Sequence, residues 1–178
     1  MSTSSVPSPS SSLTTTGSVF DPLLLSPADL PQGLARVAYG PVPAAEFTDS
    51  MTQLGVQGAY LALYADEIPP TDKANVMEQV ILKFSGANAS AMLKEQNNSF
   101  TMRKSNAYTP LFLPDPEIGE NSFAVKVTIT EPTGAELNYY TIGFVKSGIF
   151  ELFSMKGTPD TYQGFLKTAE RAAEKISK

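Results

Sequence analysis

The sequence predicts an α+β fold: an antiparallel sheet of about five or six strands, ending in a carboxy-terminal β-meander and packed by two or three helices. Three observations lead to it. Residues 122–156 hold three alternating runs separated by turn residues, the mark of consecutive antiparallel strands. An apolar stripe at helical spacing follows at Tyr162, Phe165, Ala169, Ala172 and Ile176. Earlier runs come in hairpin succession with a helical pattern after them, which favours a sheet with helices on one side over a doubly wound parallel fold.

The elements follow in chain order. Residues 1–20 hold eight Ser, four Thr and two Pro, and the first charge is Asp21. Such a segment has too few apolar side chains to offset ordering entropy and reads as a disordered tether, leaving 21–178 as one α+β domain. Leu23 to Pro31 is an apolar cluster in a turn-rich stretch that packs on the domain's flank. Ala44, Phe47, Met51 and Leu54 recur at spacings of three and four before Gly55, predicting a short amphipathic helix with a left-handed cap. Val56 to Ala65 reads as a strand covered on both faces, with Tyr60, Ala62 and Tyr64 on one parity. A proline loop over 67–72 leads to a strand at Val76 to Phe84, whose one face carries Val76, Val80, Leu82 and Phe84 and is interrupted by Glu78.

Ala89, Met92, Leu93 and Gln96 predict a helix over 87–96, and a short strand is expected around Tyr108 to Leu113 before the Pro-Asp-Pro turn. The meander then runs 122–130, 137–146 and 149–156, its last two strands joined by the two-residue connection Ser147-Gly148. Thr158 as N-cap and Pro159 in the first turn open the final helix.

Composition excludes several kinds of chemistry. The chain has 178 residues, no histidine and no cysteine. Ser-His-Asp and Cys-His catalysis are therefore impossible, as are thiolate redox pairs, disulfides and the usual zinc sites. A formal charge of −5 with scattered basic residues argues against nucleic acid. Neither the Gly-rich dinucleotide fingerprint nor a P-loop is present, and no cofactor is implied. No stretch is long and apolar enough to span a bilayer, and the tether lacks the continuous apolar core of a signal peptide.

Four stretches carry a resemblance: Leu24-Leu25-Ser26-Pro27-Ala28-Asp29-Leu30-Pro31-Gln32-Gly33, Val80 to Phe84 leading into a small-residue helix, Ile118 to Ala124, and Tyr140 to Gly148. Together they resemble the extracytoplasmic domains of prokaryotic lipoproteins and sensor-kinase ectodomains, and more distantly the PsbP-like fold. The resemblance implies a ligand- or partner-binding role and carries no active site with it.

The candidate contact residues are tyrosines, which join large apolar area to a polar tip: Tyr60, Tyr64, Tyr108, Tyr139 and Tyr140, with Phe112 beside them. Tyr139 and Tyr140 are adjacent on a strand, so they point to opposite faces, and an open face at either one offers a binding surface. Asp115, Glu117, Glu120 and Asn121 place oxygen ligands within seven residues, a density that suits calcium, although the spacing does not fit an EF-hand loop. Glu117 with Glu120, or Asp66 with Glu67, are the available carboxylate pairs for acid–base work; surface charge accounts for them better. Asn88 and Asn97 fit the glycosylation acceptor pattern, which arises often by chance.

The expected function is that of a non-enzymatic, extracytoplasmic binding or interaction module, tethered to a surface by its amino-terminal arm, with an unidentified protein or small molecule as partner. Ser/Thr/Pro arms commonly follow the processed start of anchored proteins, and Met1 would then stand in for a removed leader and anchor. The alternatives are a cytoplasmic protein with a flexible start and, for activity, a small carboxylate-dependent hydrolase or a carrier of apolar ligands.

Overall fold

Alternation decides this fold, because each strand places its odd and even residues on opposite faces of one sheet. In the computed structural model, residues 18–177 are described apart from 69, 71–73, 104, 106, 132 and 158. Seven strands form the sheet: β1 (Ala35–Pro41), β2 (Val56–Ala65), β3 (Val76–Phe84), β4 (Tyr108–Phe112), β5 (Asn121–Thr130), β6 (Glu136–Lys146) and β7 (Ile149–Lys156). Their order is β1-β2-β3-β7-β6-β5-β4, and every neighbouring pair is antiparallel. The predicted carboxy-terminal meander is β5-β6-β7. Its last turn places Ser147 and Gly148 both at positive φ, 50° and 75°, which matches the right-handed twist of the strands it joins.

Three α-helices accompany the sheet: α1 (Asp49–Gln53), α2 (Asn88–Met102) and α3 (Pro159–Lys175). They pack on both faces, not on one. On the first face α3 and the amino-terminal segment cover Tyr64, Met77, Ile81, Ile142, Phe144 and Phe153. On the second face α2 covers Leu82, Phe84, Phe123, Val145 and Phe150. Two-sided burial follows from β6, whose residues from Tyr140 to Val145 are all buried and so need cover above and below.

Three further departures from the sequence reading have local causes. The predicted helix over 44–54 is two pieces, a 3-10 turn at Ala44–Glu46 and α1. Phe47 and Thr48 between them are extended, and the Thr48 hydroxyl accepts the Met51 amide as the N-cap of α1. Strand β1 has no counterpart in the prediction. The composition-based tether boundary at residue 20 also falls too late, because Phe20 is buried and its ring sits 5.6 Å from that of Tyr60. Residues 1–17, the rest of the tether, lie outside the described residues, as does Thr158, the expected N-cap of α3.

Candidate ligand-binding face

The second sheet face is only half covered. Register places residues in rows across the strands. The row Ala59, Leu82, Phe150, Val145 lies under α2 and is buried. The next row is Leu61, Val80, Leu152 and Gly143. Here Phe123 folds over Gly143, so closely that a Cβ on Gly143 would come within 2.5 Å of the ring, and Phe100 of α2 meets Phe123 at 5.9 Å. Cover ends there. Leu61, Leu63, Val80, Leu152 and Tyr139 are only half-buried.

Beyond that edge a polar stripe crosses the apolar floor. The row Leu63, Glu78, Ser154, Thr141 sets a carboxylate beside two hydroxyls, with Thr141 Oγ1 and Ser154 Oγ 3.1 Å apart. Glu78 reaches solvent, yet desolvation by its surroundings pushes its carboxyl above the usual carboxylate range. The last row brings Val76, Lys156 and Tyr139 alongside. Glu78, Ser154, Val76, Lys156 and Tyr139, with Leu137 and Glu131, line a hollow of about 330 Å³. A second hollow of about 230 Å³ lies on the same face, where Ala38 and Gly40 of β1 meet Leu61 and Leu63 of β2.

The five candidate tyrosines separate on this geometry. Tyr139 lines the larger hollow. Tyr108 is half-buried on the same face but separated from β2 by four strands, on the β4 edge. Tyr60, Tyr64 and Tyr140 all belong to the first-face core: Tyr60 is buried against Phe20, and Tyr140 lies 5.3 Å from the Tyr162 ring. They are therefore not surface contacts in this structure. Phe112 is 45% exposed on the β4 edge, next to the equally bare Leu111.

The acidic loop is built for backbone support. Asp115 accepts from the Glu117 amide and the Ser122 hydroxyl, while the Glu120 carboxylate accepts the Ser147 amide of the β6–β7 turn. The Glu120 amide in turn donates to the Val145 carbonyl at 2.7 Å. These contacts aim the side chains at the chain and away from one another. Among the described residues no three carboxylates converge as a metal site. Asp66 caps its own hairpin by accepting from the Asn75 amide and side chain.

Sequence reasoning missed a second polar group altogether. Glu151 is fully buried on the first face of β7, in the parity of Ile149, Phe153 and Met155. Gln79 of β3 donates to its Oε2 at 3.1 Å, and among the described residues Oε1 has no hydrogen-bond partner. Burial pushes the carboxyl up to about 8, against the opposing pull of Gln79 and the Lys175 charge, so the group is mostly uncharged at neutral pH. A carboxylate in the inward parity of an otherwise apolar strand was the available signal.

Comparison with known proteins adds a fold. No protein-family model matches the chain, and no curated protein matches it. The overall fold of this open antiparallel sheet with its helices is similar to that of a solved extracellular domain. That structure is the extracellular domain of PknH from Mycobacterium tuberculosis, similar at a TM-score of 0.59 and 13% identity over 85% of this chain and 93% of that one. At that identity the likeness is one of fold. It agrees with the sequence resemblance to ectodomains, whereas the PsbP-like part of that resemblance finds no support.

Proposed function

We propose that this chain is a non-enzymatic extracytoplasmic module, displayed from a surface by its amino-terminal arm, that binds a small amphiphilic molecule on the half-covered sheet face. The observation that carries the reading is the polar stripe of Glu78, Ser154 and Thr141 set into an apolar floor, with Glu78 at its solvent-exposed part and Thr141 buried behind Ser154. A hollow of about 330 Å³ is the size of a small-molecule site, and its lining mixes apolar walls with a few polar groups, as such sites do. Charge selects the ligand's head. Glu78 and Glu131 outnumber Lys156 in the lining, so a cationic or hydrogen-bond-donating head group is favoured and an anionic one disfavoured.

Two further lines support the setting. The fold is that of an extracellular domain elsewhere, and the Ser/Thr/Pro composition of residues 1–17 suits a spacer. The absence of histidine and cysteine, and the placing of Glu78 and Glu151 on opposite faces of the sheet, favour binding over catalysis. The test is an NMR titration with dodecylamine and, separately, dodecanoate. Saturable shifts at Glu78, Ser154 and Tyr139 with the amine, and much weaker ones with the acid, are expected. Equal response to both, or shifts centred elsewhere, would refute the assignment.

A further inference from the structure

The first face holds a buried polar chain that runs from the sheet into the segment leading in from the amino terminus. Leu25 donates its amide to the Tyr64 hydroxyl at 3.3 Å, and Tyr64 donates to Gln79 Oε1 at 2.7 Å. Gln79 Nε2 then donates both to the Leu23 carbonyl at 3.3 Å and to Glu151 Oε2 at 3.1 Å. The segment is pinned outside by three ties to α3: Arg171 to the Ala28 carbonyl, Thr168 to the Asp29 carbonyl, and Lys175 to the Asp29 carboxylate at 3.0 Å. Leu23, Leu24 and Leu25 are buried in the same cluster.

We propose that residues 20–30 form a strap latched over Glu151, and that ionisation of this carboxylate unlatches the strap while the sheet stays folded. What decides the outcome is where water can enter. A charged carboxylate with one oxygen unpartnered in a sealed apolar site must regain hydration or a counter-charge. The groups that face this network are Tyr64 of β2, with Arg36 of β1 near it, Gln79 of β3, Lys175 of α3 and Asp29 of the strap itself. Lys175 already spends its ammonium on Asp29, and Gln79 offers one amide donor. Strands β3 and β7 are central and laddered on both sides, so they do not yield. The strap makes no sheet ladder, and its two inward hydrogen bonds are both long at 3.3 Å, so of the elements around Glu151 it is the one that can lift without breaking the sheet.

The latch is independent of the ligand face, which lies across the sheet. It places a pH-responsive joint between the arm and the domain. The test is hydrogen–deuterium exchange read by mass spectrometry from pH 6 to 9, corrected for intrinsic exchange, on the full chain. Protection of the peptide holding Leu25 is expected to fall by up to about 10-fold between pH 7 and 9 while staying well below that of β6, which exchanges only by global unfolding. Glu151→Gln, which keeps the shape and the Gln79 contact without a titratable proton, removes that dependence. Tyr64→Phe, which deletes the acceptor of the Leu25 amide, lowers strap protection at every pH. A flat strap profile in the wild type, strap protection equal to that of β6 at every pH, an unchanged profile in Glu151→Gln, or full strap protection in Tyr64→Phe would each overturn the latch.

Discussion

Helix α3 closes the first-face core, and truncating its central side chain tests that role. Phe165 is 0% exposed and sits in one cluster with Ala169, Ala172 and Ala173 of the same helix, with Ile176 just past its end, and with sheet residues such as Ile142 and Phe153. The small alanines let the helix axis come close to the sheet, so the space left by a missing phenyl ring cannot collapse easily. Phe165→Ala should cost about 3–5 kcal/mol, a large share of the 5–15 kcal/mol typical of a domain. At roughly 2–4 °C per kcal/mol for a chain of this size, the melting temperature falls by about 6–20 °C. Lys167, two residues on, is exposed, and Lys167→Ala should stay within about 0.5 kcal/mol. Thermal melts by circular dichroism, with urea titrations for the free energies, measure both. Small and equal effects would show that α3 stands clear of the core and would refute the reasoning.

Three more predictions follow from single sites. Glu151 holds its proton to about pH 8 when folded and gives it up near its ordinary pKa of 4.5 when unfolded, so its contribution is fully present below pH 4.5 and is lost as pH rises towards 8. Stability should fall by up to about 1.4 kcal/mol per pH unit in that window, and Glu151→Gln should flatten the curve in urea titrations at pH 5, 6.5 and 8; parallel curves would contradict this. For Asp29 the sign is opposite. Burial raises its pKa, but the Ser26 hydroxyl and amide and the Lys175 ammonium outweigh it and hold the carboxyl at about 2, so its stabilisation is present above pH 3.8 and lost on acidification through 2. Lys175→Met should weaken the folded state by no more than about 1 kcal/mol at pH 7 and leave a smaller acid loss below pH 4. Two glycines should respond oppositely to alanine in urea titrations. Gly119, at φ +69°, would drive a Cβ into the Val145 carbonyl oxygen and should lose at least about 2 kcal/mol, whereas Gly164, with open space in mid α3, should gain about 0.8–1 kcal/mol.

Much of the sheet was legible in the sequence because its strands alternate. Residues 76–84, 122–130, 137–146 and 149–156 each carry an apolar parity, and the turn at Ser147-Gly148 fixes the last register. Strand β1 was not legible, since Ala35–Pro41 contains Gly40 and Pro41 and pairs on one side only, so no face of it is deeply buried. A proline at an edge costs no ladder bond, which is why the pattern and the structure part company there. That Tyr139 and Tyr140 lie on opposite faces was legible from their adjacency on a strand, but the stripe beside Tyr139 was not. Glu78, Ser154 and Thr141 come from three strands, and only register brings them into one row. The buried Glu151 was within reach of the sequence, because the run Ile149, Glu151, Phe153, Met155 sets one acid in an inward series. The one-sided arrangement of helices failed on β6, where six consecutive buried residues demanded cover on both faces.

The central claim is that the half-covered face holds a small amphiphile, and native mass spectrometry of protein purified from its own host tests it most directly. The Ser154→Arg variant lays a long cation across the stripe beside Glu78, filling the hollow and cancelling its charge while leaving the first-face core untouched. The account predicts a retained small molecule on the wild-type chain and its loss from Ser154→Arg at unchanged melting temperature. A wild-type chain that flies without any adduct, or an adduct held equally by the variant, would contradict it.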